Sequence, residues 1–250
     1  MKTTLFVLGL WLAGSSLNLA HAAATTSTNR FDPAIQFKVS QLISKKEFRD
    51  VRAAVEDGIV TLTGEVDLYR QKLDAAKKVR KLAHVQGVRN LIAVNGNVPD
   101  AQLTASLDRK LYYDRLAQDN VFNYVTASAE SGVVALSGET RTEFDRDSAL
   151  SLVDNTTGVK DVIDNIKVAP ASIFDDRIRI ATLRAIYRDP VLSRYAIDPA
   201  KPIRIVVDRG HLSLYGTVAS VMDKQVAGIR ASQVFGAFAV QNNLQVEKRS

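Results

Sequence analysis

Asp57-Gly58-Ile59-Val60-Thr61-Leu62-Thr63-Gly64-Glu65-Val66 decides the fold, because the chain repeats it twice. The second copy is Ser131-Gly132-Val133-Val134-Ala135-Leu136-Ser137-Gly138-Glu139-Thr140, and the third is Arg209-Gly210-His211-Leu212-Ser213-Leu214-Tyr215-Gly216-Thr217-Val218. Each has a glycine, an alternating apolar run and a second glycine six positions on. Each is followed by an amphipathic segment and a further glycine: Gly87, Gly158 or Gly236. A sequence that repeats itself at a fixed interval is built from one repeated structural unit. The chain therefore reads as three copies of one small module.

Working outward from the first copy, Val51, Ala53 and Val55 alternate with polar or small residues, so a strand leads into Asp57-Gly58. Gly58 supplies the positive φ of a tight hairpin turn. The return strand carries Val60 and Leu62 on one face and is expected to end at Gly64. Before the hairpin, Ile35, Val39, Leu42 and Ile43 form a helical face, opened by Asp32 as N-cap and Pro33 in the first turn. After it, Asp67 is expected to cap a second helix to about Ala83, with Gly87 as its stop and Val88 to Val94 as a last strand. The order is α-β-β-α-β, an α+β module with a three-stranded sheet and two helices on one face.

The other copies follow. Leu103, Leu107, Leu111 and Leu116 mark the first helix of the second, residues 141–156 its second helix, and Val159, Val162, Ile166 and Val168 its last strand. In the third copy, residues 218–234 read as the second helix, and Phe238, Val240, Leu244 and Val246 as the closing apolar strand. The modules are placed at 33–99, 100–170 and 171–250, after a flexible leader at 23–32. The third glycine of each copy stands 23, 20 and 20 positions after the second. The first module is therefore expected to carry three extra residues in its second helix, and its third strand to end early or to bulge.

The N-terminus has the three parts of a secretory signal: Lys2, the apolar run Leu5 to Leu12, and Ala20-His21-Ala22 as a small-x-small cleavage site. Gly14-Ser15-Ser16 interrupts the run well short of the roughly 20 apolar residues of a spanning helix. Cleavage after Ala22 and a periplasmic location are expected. The chain has no cysteine, which excludes disulfides, thiolate sites and attachment as a lipoprotein.

The motif Gly-x-Val-x-Leu-x-Gly, a helix, Gly-Val and an Asn-x-x-Val strand resembles the BON domain. The match lies at Gly58 to Gly64 with Gly87-Val88, at Gly132 to Gly138 with Gly158-Val159 and Asn165, and at Gly210 to Gly216 with Gly236 and Asn243. The resemblance implies an αββαβ fold in an exported protein tied to phospholipid surfaces, envelope integrity and osmotic stress. It brings no shared catalytic residue.

The residues themselves offer little reactive chemistry. His84 and His211 lack a metal-site partner at motif spacing, and no glycine-rich phosphate loop follows a strand. No catalytic, cofactor or metal residue is assigned. The nine glycines, Gly58, Gly64, Gly87, Gly132, Gly138, Gly158, Gly210, Gly216 and Gly236, read as turn and helix-stop residues.

Charge says more. By formal charge the three modules carry +5, −5 and +5. Two basic stripes stand out: Arg70, Lys77, Lys78 and Lys81 on the first module's second helix, and Arg177, Arg184 and Arg188 on the third module's first helix, beside Tyr187. Such faces attract anionic headgroups at roughly 1 kcal/mol per charge. The reading is a non-enzymatic envelope protein without a cofactor that binds anionic phospholipid or an envelope surface, with envelope proteins as further candidate partners. The rival is a periplasmic stress chaperone or interaction scaffold. Nucleic acid is set aside, because the basic faces lack a stacking set of aromatics. The sequence names no oligomeric state.

Overall fold

The computed structural model describes residues 30–113, 120–198 and 202–247. The leader cleavage expected after Ala22 and the expected helical Leu116 lie outside the described residues. The first module contains α1 (Asp32–Ile43), β1 (Val51–Glu56), β2 (Ile59–Val66), α2 (Tyr69–Arg80), β3 (Gly87–Asn90) and β4 (Ala93–Val94). The second contains α3 (Asp100–Tyr113), β5 (Tyr124–Glu130), β6 (Val133–Thr140), α4 (Glu143–Asp154) and β7 (Asp161–Val168). The third contains α5 (Ile173–Tyr187), β8 (Arg204–Asp208), β9 (His211–Tyr215), β10 (Thr217–Val218), α6 (Val221–Ser232), β11 (Ala239–Asn242) and β12 (Gln245–Val246). This is the α+β repeat of αββαβ modules. In each, the first and second strands pair antiparallel, and the third lies parallel to the second.

The hairpins are two-residue turns with positive φ at both positions: Asp57 and Gly58, Ser131 and Gly132, Arg209 and Gly210. That is the type I′ geometry, whose twist suits paired strands. Both turn amides donate to one carboxylate. Asp57 N and Gly58 N reach Asp32 at 2.9 and 2.8 Å. Ser131 N and Gly132 N reach Asp100 at 2.7 and 2.9 Å, and Arg209 N and Gly210 N reach Asp175 at 3.1 and 2.8 Å. Asp32 therefore does not cap α1, as expected from Asp32-Pro33; Phe31 holds the N-cap position. Nor does Asp67 cap α2: Leu68 is its N-cap, and Gln71 Oε1 accepts from the amides of Asp67 and Leu68. Because Asp32 is part of the fold, the leader ends before it.

Strand register corrects the expected insertion. Ile59 pairs with Gly87, Val133 with Asp161, and His211 with Ala239. Gly87 thus opens β3 and is not a helix stop. The position matching Gly158 (φ +94°) and Gly236 (φ +93°) is His84, at φ +69°. Histidine is among the few non-glycine residues that tolerate this region, and its ring stacks on Phe31 with centroids 3.8 Å apart. The helices α2, α4 and α6 have 12 residues each, so no module carries an insertion. All three are shorter than the sequence implied. Thr142 and Ser220 cap α4 and α6 through their side chains.

The third strand of the first module does not end early. It runs in two pieces, as in the third module, interrupted after Asn90 and Asn242. Their side-chain oxygens accept from the amides of Ile92 and Leu244, each at 3.3 Å. Nor does Gly64 end β2, which continues to Val66. The second glycine is instead a point of close approach: a Cβ on Gly138 would lie 2.1 Å from the Tyr124 carbonyl oxygen.

In this common frame the cores coincide. Val60 and Leu62, Val134 and Leu136, Leu212 and Leu214 are fully buried from the middle strands. They meet Ile35 and Val39, Leu103 and Leu107, Ile178 and Thr182 from the first helices. Ala75 and Val79, Ala149 and Val153, Ala227 and Ala231 complete the layer from the second helices. Each large apolar side chain so buried contributes about 1.5–3 kcal/mol.

The modules are docked together. The first two share one apolar cluster, and Tyr69 Oη donates to Asp161 at 2.7 Å across their boundary. The second and third meet through stacked Tyr124 and Tyr215 (4.2 Å) and Tyr112 Oη donating to the Pro202 carbonyl (2.9 Å). Arg141 adds an ion pair to Asp176, with Nε at 3.2 Å. The 3-10 turn Asn120–Phe122 contacts β8, and Phe122 packs into the third core. Four successive residues of β8, Arg204 to Val207, are therefore buried. Arg204 lies over the Tyr112 ring at 4.6 Å and donates to the Tyr112 carbonyl.

The corrected frame separates two glycines that look alike in sequence. Gly138→Ala is expected to cost more than about 2 kcal/mol in denaturant unfolding, as a steric change at a special backbone position. Gly87→Ala, whose Cβ would meet nothing nearer than Ile59 Cγ1 at 3.8 Å, is expected to stay within about 0.5 kcal/mol. Equal costs would contradict the register.

Candidate functional site

The first basic stripe is partly consumed by the fold. Arg70 pairs with Asp74 at 3.2 Å beside the boundary of the first two modules. Lys78 pairs with Glu47 at 2.7 Å and lies over the Phe48 ring at 4.8 Å. Lys77 and Lys81 are exposed, with no ion pair among the described residues.

The second stripe makes no ion pair among the described residues. Ser172 caps α5 through its side chain, which accepts from the Asp175 amide at 3.2 Å. Asp175, Ile178, Thr182 and Ile186 bury one face. The opposite face carries Ile173, Arg177, Ile180, Arg184 and Arg188, all exposed. The module's arginine ion pairs belong to Arg179, Arg194, Arg209 and Arg230 instead. Tyr187 does not join this surface. It is buried, its hydroxyl donates to the Ile203 carbonyl at 2.9 Å, and burial pushes its pKa up.

Beside the stripe lies an aromatic cluster that the sequence reading did not select. Phe235 is 98% exposed and Phe238 74% exposed. Phe238 does not close the core, as expected of it; it stacks on Phe174 at 5.9 Å. The common frame supplies the signal that could have found them. The places of Phe235 are Ala83 and Thr157 in the other modules, and those of Phe238 are Gln86 and Lys160. The fold does not require an aromatic at either place, and exposed large apolar groups in a cluster mark contact surfaces.

Between α5 and the end of α6 runs a groove of about 470 Å³. Arg184, Arg188, Arg230 and Phe235 line it together with Ala181 and Ala185. Arg230 Nε donates to Asp189 Oδ2 at 2.6 Å. Burial pushes the Asp189 carboxyl up, but Arg230 and the amides of Val191 and Leu192 outweigh it, and the net shift is downward. Lys78 takes the place of Arg230 in the first module and pairs with Glu47.

A different electrostatic feature sits at the boundary of the first two modules. Burial holds the Asp154 carboxyl at about 6, with Arg70 opposing the shift and Asp74 adding to it. The folded chain therefore binds this proton more tightly than the unfolded chain, and the associated stability is lost as pH rises from about 4 to about 6.

Among the described residues no helix is long and apolar enough to cross a membrane. The family model of the BON domain matches residues 31–96, 99–170 and 188–248. The third match begins after α5, although α5 carries Asp175 and stands where α1 and α3 stand. No curated protein matches the chain. Among solved structures, CdsD, a structural protein of the type III secretion system of Chlamydia trachomatis, is 16% identical, with 86% of this chain and 92% of that chain covered at a TM-score of 0.25. The CdsD C-terminal domain is 16% identical, with 88% and 100% covered at 0.24. The PrgH periplasmic domain is 12% identical, with 84% and 100% covered at 0.20. At these TM-scores the likeness carries no argument. The family match spans most of the chain, and the chain belongs to the BON domain family.

Asp154→Asn removes a buried group that is costly to ionise. The melting temperature of the variant is expected to exceed that of the parent clearly at pH 7.5 and little at pH 4. A difference that does not change with pH would contradict the buried setting of Asp154.

Proposed function

We propose that this three-module BON protein acts at the cell envelope as a peripheral binder of anionic phospholipid surfaces, with the third module making the principal contact. The observation that carries the reading is the pairing of Phe235 and Phe238, exposed, with Arg177, Arg184 and Arg188, exposed and without an ion pair among the described residues, on one module. Cations near an anionic membrane contribute roughly 1 kcal/mol each, and salt screens them within a Debye length of about 8–10 Å. Exposed aromatic rings add apolar area that enters the headgroup boundary. Arginine charge draws the module to the surface and Phe235 holds it there. Lys77 and Lys81 offer a weaker second contact on the first module, while Arg70 and Lys78 are held by Asp74 and Glu47. The role is binding, with no catalytic residue assigned. The leader read from residues 1–22 supports a periplasmic setting for it.

Co-sedimentation with vesicles tests this. The chain from Ala23 on is expected to bind anionic vesicles at low salt, to leave neutral ones in solution, and to release as salt rises. Arg177→Glu, Arg184→Glu and Arg188→Glu together should abolish binding, and Lys77→Glu with Lys81→Glu should weaken it less. No sedimentation at low salt would overturn the reading. Aggregation suppression without vesicle binding would favour the chaperone alternative.

A further inference from the structure

We infer that the groove between α5 and α6 is a site for a phosphomonoester group, with Arg184 and Arg188 as its ligands. The inference rests on the proposed function and narrows it from an anionic surface to one headgroup chemistry. Three guanidinium groups line the groove, but Asp189 neutralises that of Arg230, so two positive charges remain. They stand one turn apart, Arg184 in the last turn of α5 and Arg188 as its C-cap, a spacing at which Cβ atoms lie about 5–6 Å from each other and both forks can close on one phosphate. A phosphomonoester carries up to two negative charges near neutral pH, and a phosphodiester carries one. The charge of the groove therefore matches the monoester.

The shape agrees. Ala181 and Ala185 line the groove with small side chains, and about 470 Å³ lies within the range of small-molecule sites. Phe235 also lines the groove and would lie against the carbon body attached to the phosphate. Neither other module repeats the arginine pair. Counted from the turn-binding aspartate, the places of Arg184 and Arg188 hold Gln41 and Lys45 in the first module, and Arg109 and Tyr113 in the second. Asp189, the acidic residue of the groove lining, is held by Arg230 rather than by Arg184 or Arg188.

Two probes distinguish a lipid headgroup from a free phosphate. The chain from Ala23 on is titrated with vesicles containing phosphatidic acid or phosphatidylglycerol at matched surface charge, and separately with glycerol 3-phosphate in solution. Binding to phosphatidic acid is expected to be at least about fivefold tighter, from roughly 1 kcal/mol for one further charge contact. Glycerol 3-phosphate is expected to shift the amide resonances of α5. Arg184→Ala with Arg188→Ala, both exposed positions, should retain the melting temperature and lose the preference. Equal binding to both vesicles without a response to glycerol 3-phosphate would overturn the inference and leave the membrane reading standing. A response to glycerol 3-phosphate without vesicle binding would keep the groove and overturn the membrane reading. A preference that survives in the double variant would overturn the assignment of Arg184 and Arg188.

Discussion

One carboxylate per module ties helix to hairpin. Asp32, Asp100 and Asp175 each accept from two consecutive turn amides at 2.7 to 3.1 Å. A type I′ turn leaves those amides pointing away from the hairpin, and buried amides need partners. Hydrogen bonds to a charged acceptor contribute about 1.5–3 kcal/mol each. The carboxylate sits at the first turn of the first helix, so satisfying the turn also fixes where that helix crosses the sheet. The apolar positions three and seven residues on, Ile35 and Val39 in the first module, then fall over Val60 and Leu62. The same geometry recurs with Leu103 and Leu107 over Val134 and Leu136.

The hairpins were legible because glycine reports positive φ directly, and the alternation around Val60 and Leu62 reports a buried strand face. The clamp was not legible. Its partners stand 26, 32 and 35 residues apart, and an aspartate before a helix looks like an ordinary cap. The frame of the first module is hidden in the sequence for a related reason. His84 adopts the left-handed conformation that glycine adopts in the other two modules, and Gly87, three residues on, drew the alignment to itself. Counting from the strand pairing restores identical spacing. The candidate site was half legible: charge at helical spacing found Arg177, Arg184 and Arg188, whereas Phe238 beside a strand looked like core. Only the corrected frame shows that its places in the other modules are polar.

Docking gives the charge pattern a structural meaning. The acidic middle module touches both basic neighbours, and the boundary takes up charge that the sequence shows as surface. Arg141 meets Asp176, Arg204 is buried against Tyr112, and Arg70 lies near Asp154. These are the arginines that build the molecule. Arg177, Arg184 and Arg188 are exposed and make no ion pair among the described residues, and they stand beside two aromatic rings that the fold does not need. Separating structural from available charge is therefore what singles out the third module, since the first carries the same net charge.

The most direct measurement uses a single tryptophan. The one tryptophan of the sequence is Trp11, so the chain from Ala23 on has none. Phe235→Trp would then be the sole reporter, with Ala83→Trp and Thr157→Trp as the same position in the other modules. On adding anionic vesicles at low salt, emission from Phe235→Trp should move to the blue and be quenched by brominated acyl chains, while the other two change little. No change at Phe235→Trp, or an equal change in all three, would contradict contact through the third module.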